Sequence, residues 1–228
     1  MASDIWQDSI SFLEKNIKEY GILVVLFLVI LAVIYSIASG LSTLFFILYV
    51  GSIGFTIGSI ILFSLWGLLY ALVTGTYMFA LKDGINSLNK NQQLNYVGSI
   101  TNGFKSMTKD MNMTYTVSII GLVSGFIYGA FNALSNYGLS VIGQILSGVV
   151  FAAAIVFLLS KMYGLSIPKL VDKIKSINHT SPNAGLFMIL TIVLPIIPIV
   201  GALEIFMLSF ALVILTKSPG QTQAQTKR

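Results

Sequence analysis

From Gly21 to Leu81 the chain runs sixty-one residues without one Asp, Glu, Lys, Arg or His. Leu, Ile, Val, Phe, Ala, Gly and Ser make up most of that run. A bilayer core about 30 Å thick needs about 20 apolar residues per spanning helix. The run is therefore too long for one crossing and has room for two or three. In such a solvent every backbone polar group must be paired within the segment or inside protein, so helices are the expected form. Small residues interrupt the run at Ser39-Gly40 and again at Gly51-Ser52-Ile53-Gly54. We place one helix at about 21–48 and a second at about 53–81, with three shorter helices as the competing division.

The remaining sequence repeats the contrast. Only 9% of the 228 residues are charged and 56% are hydrophobic, against about 25% charged in a soluble domain. A second apolar block covers 114–160 and is divided by the turn signal Ser135-Asn136-Tyr137-Gly138. A third covers 185–216, with Pro195, Pro198 and Gly201 at its centre, where a continuous helix would kink or break. Its thirty-two residues are long for one span and short for two, so a re-entrant hairpin is a further expectation.

Three polar stretches carry amphipathic helical spacing, each expected to lie along the membrane surface. In the first, Ile5, Trp6, Ile10, Phe12, Leu13, Ile17 and Tyr20 recur at spacings near three and four, with Trp6 and Tyr20 suited to headgroup level. The second carries Leu94, Val97, Ile100, Phe104, Met107 and Met111. The third carries Ile167, Leu170, Val171, Ile174 and Ile177, opened by Ser166 and Pro168. The domain reading is an interfacial helix at 1–20, a transmembrane domain at 21–216 with hairpins at 21–81, 114–160 and 185–216, and a polar tail at 217–228.

Charge orients these segments. The thirteen Lys and Arg fall before residue 21, between 82 and 109, between 161 and 175, and from 217 onward. With two helices per block, all four groups share one side and the opposite turns carry none. By the positive-inside rule both termini are cytoplasmic. The fold class read from this is an all-α polytopic transmembrane bundle of about six helices, five to seven being compatible, with interfacial helices on the inner face.

Chemistry has few places to reside. Gly121, Gly125, Gly129 and Ala133 form a small-xxx-small row on one helix face. Ser140, Gln144, Gly148 and Ala152 form another, and Gly54 and Gly58 a GxxxG pair; such rows let backbones approach closely. Packing within one subunit is the plainer reading, packing between subunits or a pore lining the sharper ones. Glu204 is the sole acidic residue inside an apolar block. It reads as an intramembrane ion or substrate site, or as a turn residue reaching water; its position just after Pro198 and Gly201 favours the turn. Gln144, one turn inside the opposite hairpin, reads as interhelical glue before selectivity. His179 has no partners spaced for a metal, Cys is absent, and no nucleotide-binding or hydrolase motif occurs. We expect no enzyme activity, no cofactor and no metal. The eight lysines between 82 and 175 suit lipid headgroups or an acidic partner protein.

The composition, rich in Ile, Ser, Asn and Tyr without Cys, and the layout of hairpins resemble small polytopic archaeal membrane proteins, among them the crenarchaeal DNA-import channel family CedA. The resemblance extends over the whole chain as a topology and carries no diagnostic motif, so it transfers no functional residue. It implies a cell-membrane pore or scaffold subunit of a translocation complex, with other membrane subunits, a cytosolic ATPase, homo-oligomerisation, and nucleic acid as cargo. The alternatives are a small-molecule or ion transporter using Glu204 and Gln144, and a structural membrane protein organising a partner complex.

Overall fold

The computed structural model describes residues 4–49, 53–133, 137–197 and 201–218. All regular structure among them is helical: α1 (Ile5–Lys15), α2 (Ile17–Tyr49), α3 (Ile53–Asn89), α4 (Tyr96–Lys109), α5 (Met111–Ala133), α6 (Tyr137–Tyr163), α7 (Ile167–Thr180), α8 (Pro182–Val193), a short 3-10 turn (Leu194–Ile196) and α9 (Gly201–Lys217). Four helices, α2, α3, α5 and α6, are long and apolar enough to cross a membrane; Pro182–Ile196 is a shorter apolar segment. They mark a membrane-embedded chain.

The uncharged run contains two helices, and α2 continues without interruption through Ser39-Gly40. The three-helix division does not form. A Gly-Ser pair costs only about 1 kcal/mol inside a helix, less than leaving backbone groups unpaired in lipid. Residues 50–52, where the expected turn falls, lie outside the described residues, as do 134–136, 198–200 and 219–228.

The N-terminal amphipathic helix is shorter than its apolar spacing predicts. Asp4 caps α1 by accepting from the Trp6 N–H at 3.1 Å. Asn16 ends it: its side chain donates to the Phe12 carbonyl at 2.8 Å, and α2 begins at the next residue. Tyr20 is thus in α2, buried, with its hydroxyl donating to the Ser209 carbonyl at 2.8 Å. An internal acceptor takes the place of the headgroup level expected for it. Trp6 packs edge-on against Phe210, ring centroids 5.0 Å apart, and against Phe187. This lays α1 over α8 and α9.

The second amphipathic segment turns its faces the other way from a soluble helix. Asn95 caps α4. The side of α4 that meets α3 carries Ser99, Gly103 and Met107, and a Cβ on Gly103 would lie 2.5 Å from the Thr76 carbonyl oxygen. Of the apolar set, Leu94 and Met107 are buried, whereas Val97, Phe104 and Met111 are exposed. Small residues admit the close approach beside Met107, and Val97 and Phe104 point outward. On α7, Leu170, Ile174 and Ile177 are buried while Ile167 and Val171 are exposed.

Two seams hold the long helices. Along α5, Gly121, Gly125 and Gly129 face α3: a Cβ on Gly121 would lie 2.6 Å from the Gly67 carbonyl oxygen, one on Gly125 would overlap the Phe63 carbonyl, and one on Gly129 would sit 3.0 Å from the Ile60 Cα. Only glycine permits that separation. Around α9, Ala211 to Leu215 are all fully buried, as expected of a helix that is apolar on every side. Tyr77, Met78, Leu81 and Ile85 of α3 belong to the same core, with Ile155, Leu158 and Leu159 of α6 and Leu170 of α7.

Lysines finish the helix ends here. The Lys82 Nζ donates to the Met162 carbonyl and stands 4.7 Å from the centre of the Tyr163 ring. Lys173 approaches the same ring and donates to the Leu215 carbonyl at 3.4 Å. Lys217 donates to the Asn89 side chain at 2.7 Å. Cations at the last carbonyls of α6 and α9 satisfy acceptors that the helices leave open. The end of the bundle bearing α1, α4 and α7 is called the base below.

Candidate functional site

The third apolar block stops partway up its neighbours. At its top, the Pro195 carbonyl presses on Gly148, where any Cβ would overlap it. Gly148 is the twelfth residue of α6, so this contact lies roughly 16 Å along the axis from the start of that helix. The 3-10 turn at Leu194–Ile196 closes α8 because Pro195 cannot donate to the helical ladder. Its last N–H, from Ile197, bonds the Leu194 carbonyl at 2.9 Å. From Gly201 the chain returns as α9, with Glu204 in the first turn.

Beside this turn lies a cavity of about 270 Å³ between α3, α5, α6, the 3-10 turn and α9. Each helix contributes one face. Trp66 and Tyr70 of α3 are four residues apart, and Gln144, Ser147, Gly148 and Phe151 of α6 follow the i, i+3, i+4, i+7 pattern that puts residues on one side. Ser124, Gly125 and Tyr128 enter from α5. The rings are adjacent: Trp66 and Tyr70 have centroids 6.0 Å apart, Tyr70 and Phe151 4.9 Å. Ser124 and Ser147 share a hydroxyl–hydroxyl bond of 2.8 Å, and the Ser124 hydroxyl also reaches the Ser147 carbonyl. A second cavity of about 250 Å³, lined by Tyr35, Ala38 and Ser39 of α2, shares Trp66 and Tyr128 with the first.

Glu204 is 4% exposed. The Tyr70 hydroxyl donates to its Oε2 over 3.4 Å, and its Oε1 is buried without a hydrogen-bond partner among the described residues. The favoured expectation, a turn residue reaching water, is not what the fold makes of it. The hairpin is too short to carry Glu204 out of the bundle, and the residue lines the cavity.

The structure therefore brings together Gln144, Gly125, Gly148, Pro195 and Glu204 from the residues singled out by sequence. It does not bring the two small-residue rows against each other: Gly121, Gly125 and Gly129 meet α3, whereas Gly148 meets Pro195. Ala133 ends α5, half-buried, and Ala152 is buried on α6. Gly58 is half-buried on α3; the surroundings of Gly54 and Gly201 and the whole of Pro198 lie outside what is described. Sequence reasoning missed Trp66, Tyr70, Ser124, Tyr128 and Ser147. Their signal was available: aromatics with a polar tip, and hydroxyls, deep in uncharged runs need internal partners. Among the described residues no three His, Cys, Asp or Glu side chains converge as a metal site would require.

No family model matches the chain, and no curated protein or solved structure does.

Proposed function

We propose that this protein binds a small solute within the membrane and passes it across, with Glu204 and Gln144 at the binding site. One observation carries the reading: a buried carboxylate, with an oxygen unpartnered among the described residues, lines a cavity formed where a hairpin breaks partway through the bundle. Intramembrane ionisable groups that face protein or water are the usual marks of a substrate pathway. Interrupted helices meeting at the middle of a bundle are the usual architecture of a transporter site, because half-helix ends present free N–H and C=O groups there. The α8 end and the α9 start supply such a pair.

In this reading α8 and α9 form a re-entrant third hairpin beside the four long helices, giving six apolar segments. α1, α4 and α7 lie at the cytoplasmic surface with Val97 and Phe104 in lipid. The pore or scaffold reading, with DNA as cargo, rests on thinner ground. The glycine row of α5 is engaged inside the chain, so it does not speak for a subunit interface. Lys82 and Lys173 bond helix-end carbonyls and Lys217 bonds the Asn89 side chain, which removes three cations from a docking surface.

The chain has no cysteine, so single cysteines report access without background. Ser147→Cys in proteoliposomes should react with a membrane-impermeant thiol reagent added from either side, and solute that fills the site should slow the reaction. Reaction from neither side would sink the proposal. Reaction from one side alone would reduce it to a binding pocket without passage.

A further inference from the structure

The cavity has the chemistry to choose its ligand. Resting on the solute-binding reading above, we propose that the site takes a small organic cation, an amine or quaternary ammonium, held by Glu204 within a box of Trp66, Tyr70, Tyr128 and Phe151.

Charge sets the sign. Among the described residues Glu204 is the one charged side chain lining the cavity, and no Lys, Arg or His joins it. An anion would meet the carboxylate unaided, at the cost of burying two like charges. A cation supplies the counter-charge that the buried carboxylate lacks among the described residues. Oε2 is occupied by Tyr70, and Oε1 has no partner among the described residues.

The lining then separates organic from inorganic cations. A hard metal ion wants about six or more oxygens around it. Ser124 and Ser147 spend hydroxyl capacity on each other, and the other side-chain oxygens of the wall, on Tyr70, Tyr128, Gln144 and Glu204, come from four separate helices and do not converge as a metal's ligands would. The rest of the wall is largely aromatic, contributed by three different helices. Ring faces attract ammonium groups and gain most when water is excluded, and aromatic boxes are a recurrent way of holding methylated ammonium. A volume of about 270 Å³ admits a few heavy atoms and excludes a polymer chain.

The test uses full-length protein in nanodiscs of zwitterionic lipid. Trp6 and Trp66 are the two tryptophans, so Trp6→Phe leaves Trp66 as reporter. Choline is titrated against 3,3-dimethyl-1-butanol, its uncharged isostere, and against sodium chloride. Choline should shift Trp66 emission saturably, with the isostere at least ten-fold weaker and sodium without effect. Glu204→Gln should weaken choline at least ten-fold and leave the isostere unchanged. Glu204→Asp should retain choline binding, which separates loss of charge from loss of fold. Equal binding of choline and the isostere would overturn the cation inference yet leave the solute cavity standing. A sodium response dependent on Glu204 would replace it with an inorganic ion. No response to any probe, with Ser147→Cys still labelled from both sides, would overturn the ligand class alone. No response together with an unreactive Ser147→Cys would remove both.

Discussion

α3 and α9 meet twice, and the two meetings are unlike. Near the base, Tyr77 places its hydroxyl against the Ser209 hydroxyl and within 3.2 Å of the Ile205 carbonyl, in a layer where Leu208 and Ala211 are fully buried. Two helical turns further along α3, Tyr70 reaches Glu204 over 3.4 Å across the edge of a cavity. The first pair is neutral, short and enclosed. The second holds an unsatisfied carboxylate oxygen beside open volume. Protein interiors rarely leave voids larger than a water molecule, and buried polar groups are nearly always paired. The layer around Tyr77 and Ser209 obeys both rules and the cavity breaks both, in one bundle built on the same helices. Such a departure is expected where a site departs from optimal packing for a ligand.

The sharpest way to break this comparison is to overfill each half. Gly121→Val, at a residue that does not line the cavity, puts a side chain against the Gly67 carbonyl and Ala71 along the α3–α5 seam. Neither long helix can move without losing the seam, so stability should fall by about 3 kcal/mol, roughly 6–12 °C in Tm for a chain of this size. Gly148→Val meets the Pro195 carbonyl instead, on a short 3-10 turn that can yield. Its cost should be less than half as large, with labelling of Ser147→Cys lost. Thermal unfolding in mild detergent measures both. Equal costs would show that the hairpin tip is as rigid as the seam and that the hollow half is not built to move.

A smaller effect of opposite sign is expected from removing the charge. Glu204→Gln keeps an acceptor for Tyr70 and relieves a buried carboxylate, so Tm should rise by about 2–4 °C, for about 1 kcal/mol. Passage of solute should be lost in the same variant. A fall in Tm would mean that Glu204 serves the fold and would remove the contrast with Ser209. On the filled side, Tyr77→Phe deletes a hydroxyl that is bonded to Ser209 and the Ile205 carbonyl. It should cost about 1 kcal/mol and leave Ser147→Cys labelling untouched.

What the sequence disclosed follows the same division. The long helices, the hairpin order and the break at Pro195 were legible, because uncharged length and backbone punctuation are local properties. The rows at Gly121 and Gly148 were legible as close approaches, but not their partners: spacing along one helix says nothing about which neighbour it faces. The cavity was hidden for that reason, since Trp66, Tyr128, Gln144 and Glu204 come from four helices and are distant along the chain. Glu204 itself was misjudged on its distance from the turn. That argument assumed a hairpin reaching the far surface, and the thirty-two-residue block was already short for it.

The weakest predicted effect carries the most general point. In a soluble protein the apolar pair Val97 and Phe104 of α4 would face the core. Here Val97 is 75% and Phe104 59% exposed, while Ser99 and Gly103 meet α3. Lipid tails are as apolar as a core, so large apolar side chains gain nothing by turning inward. Small ones gain backbone contact by doing so. Phe104→Ser should therefore change stability in detergent by less than about 0.5 kcal/mol, as for other exposed sites. The same substitution in a bilayer removes an anchor at the surface. Quenching of a fluorophore placed at Val97→Cys by lipid-borne quenchers should weaken when Phe104→Ser is added. If detergent stability instead falls by 2 kcal/mol or more, the pair packs on protein, and α4 belongs to an interface with another subunit rather than to the membrane surface.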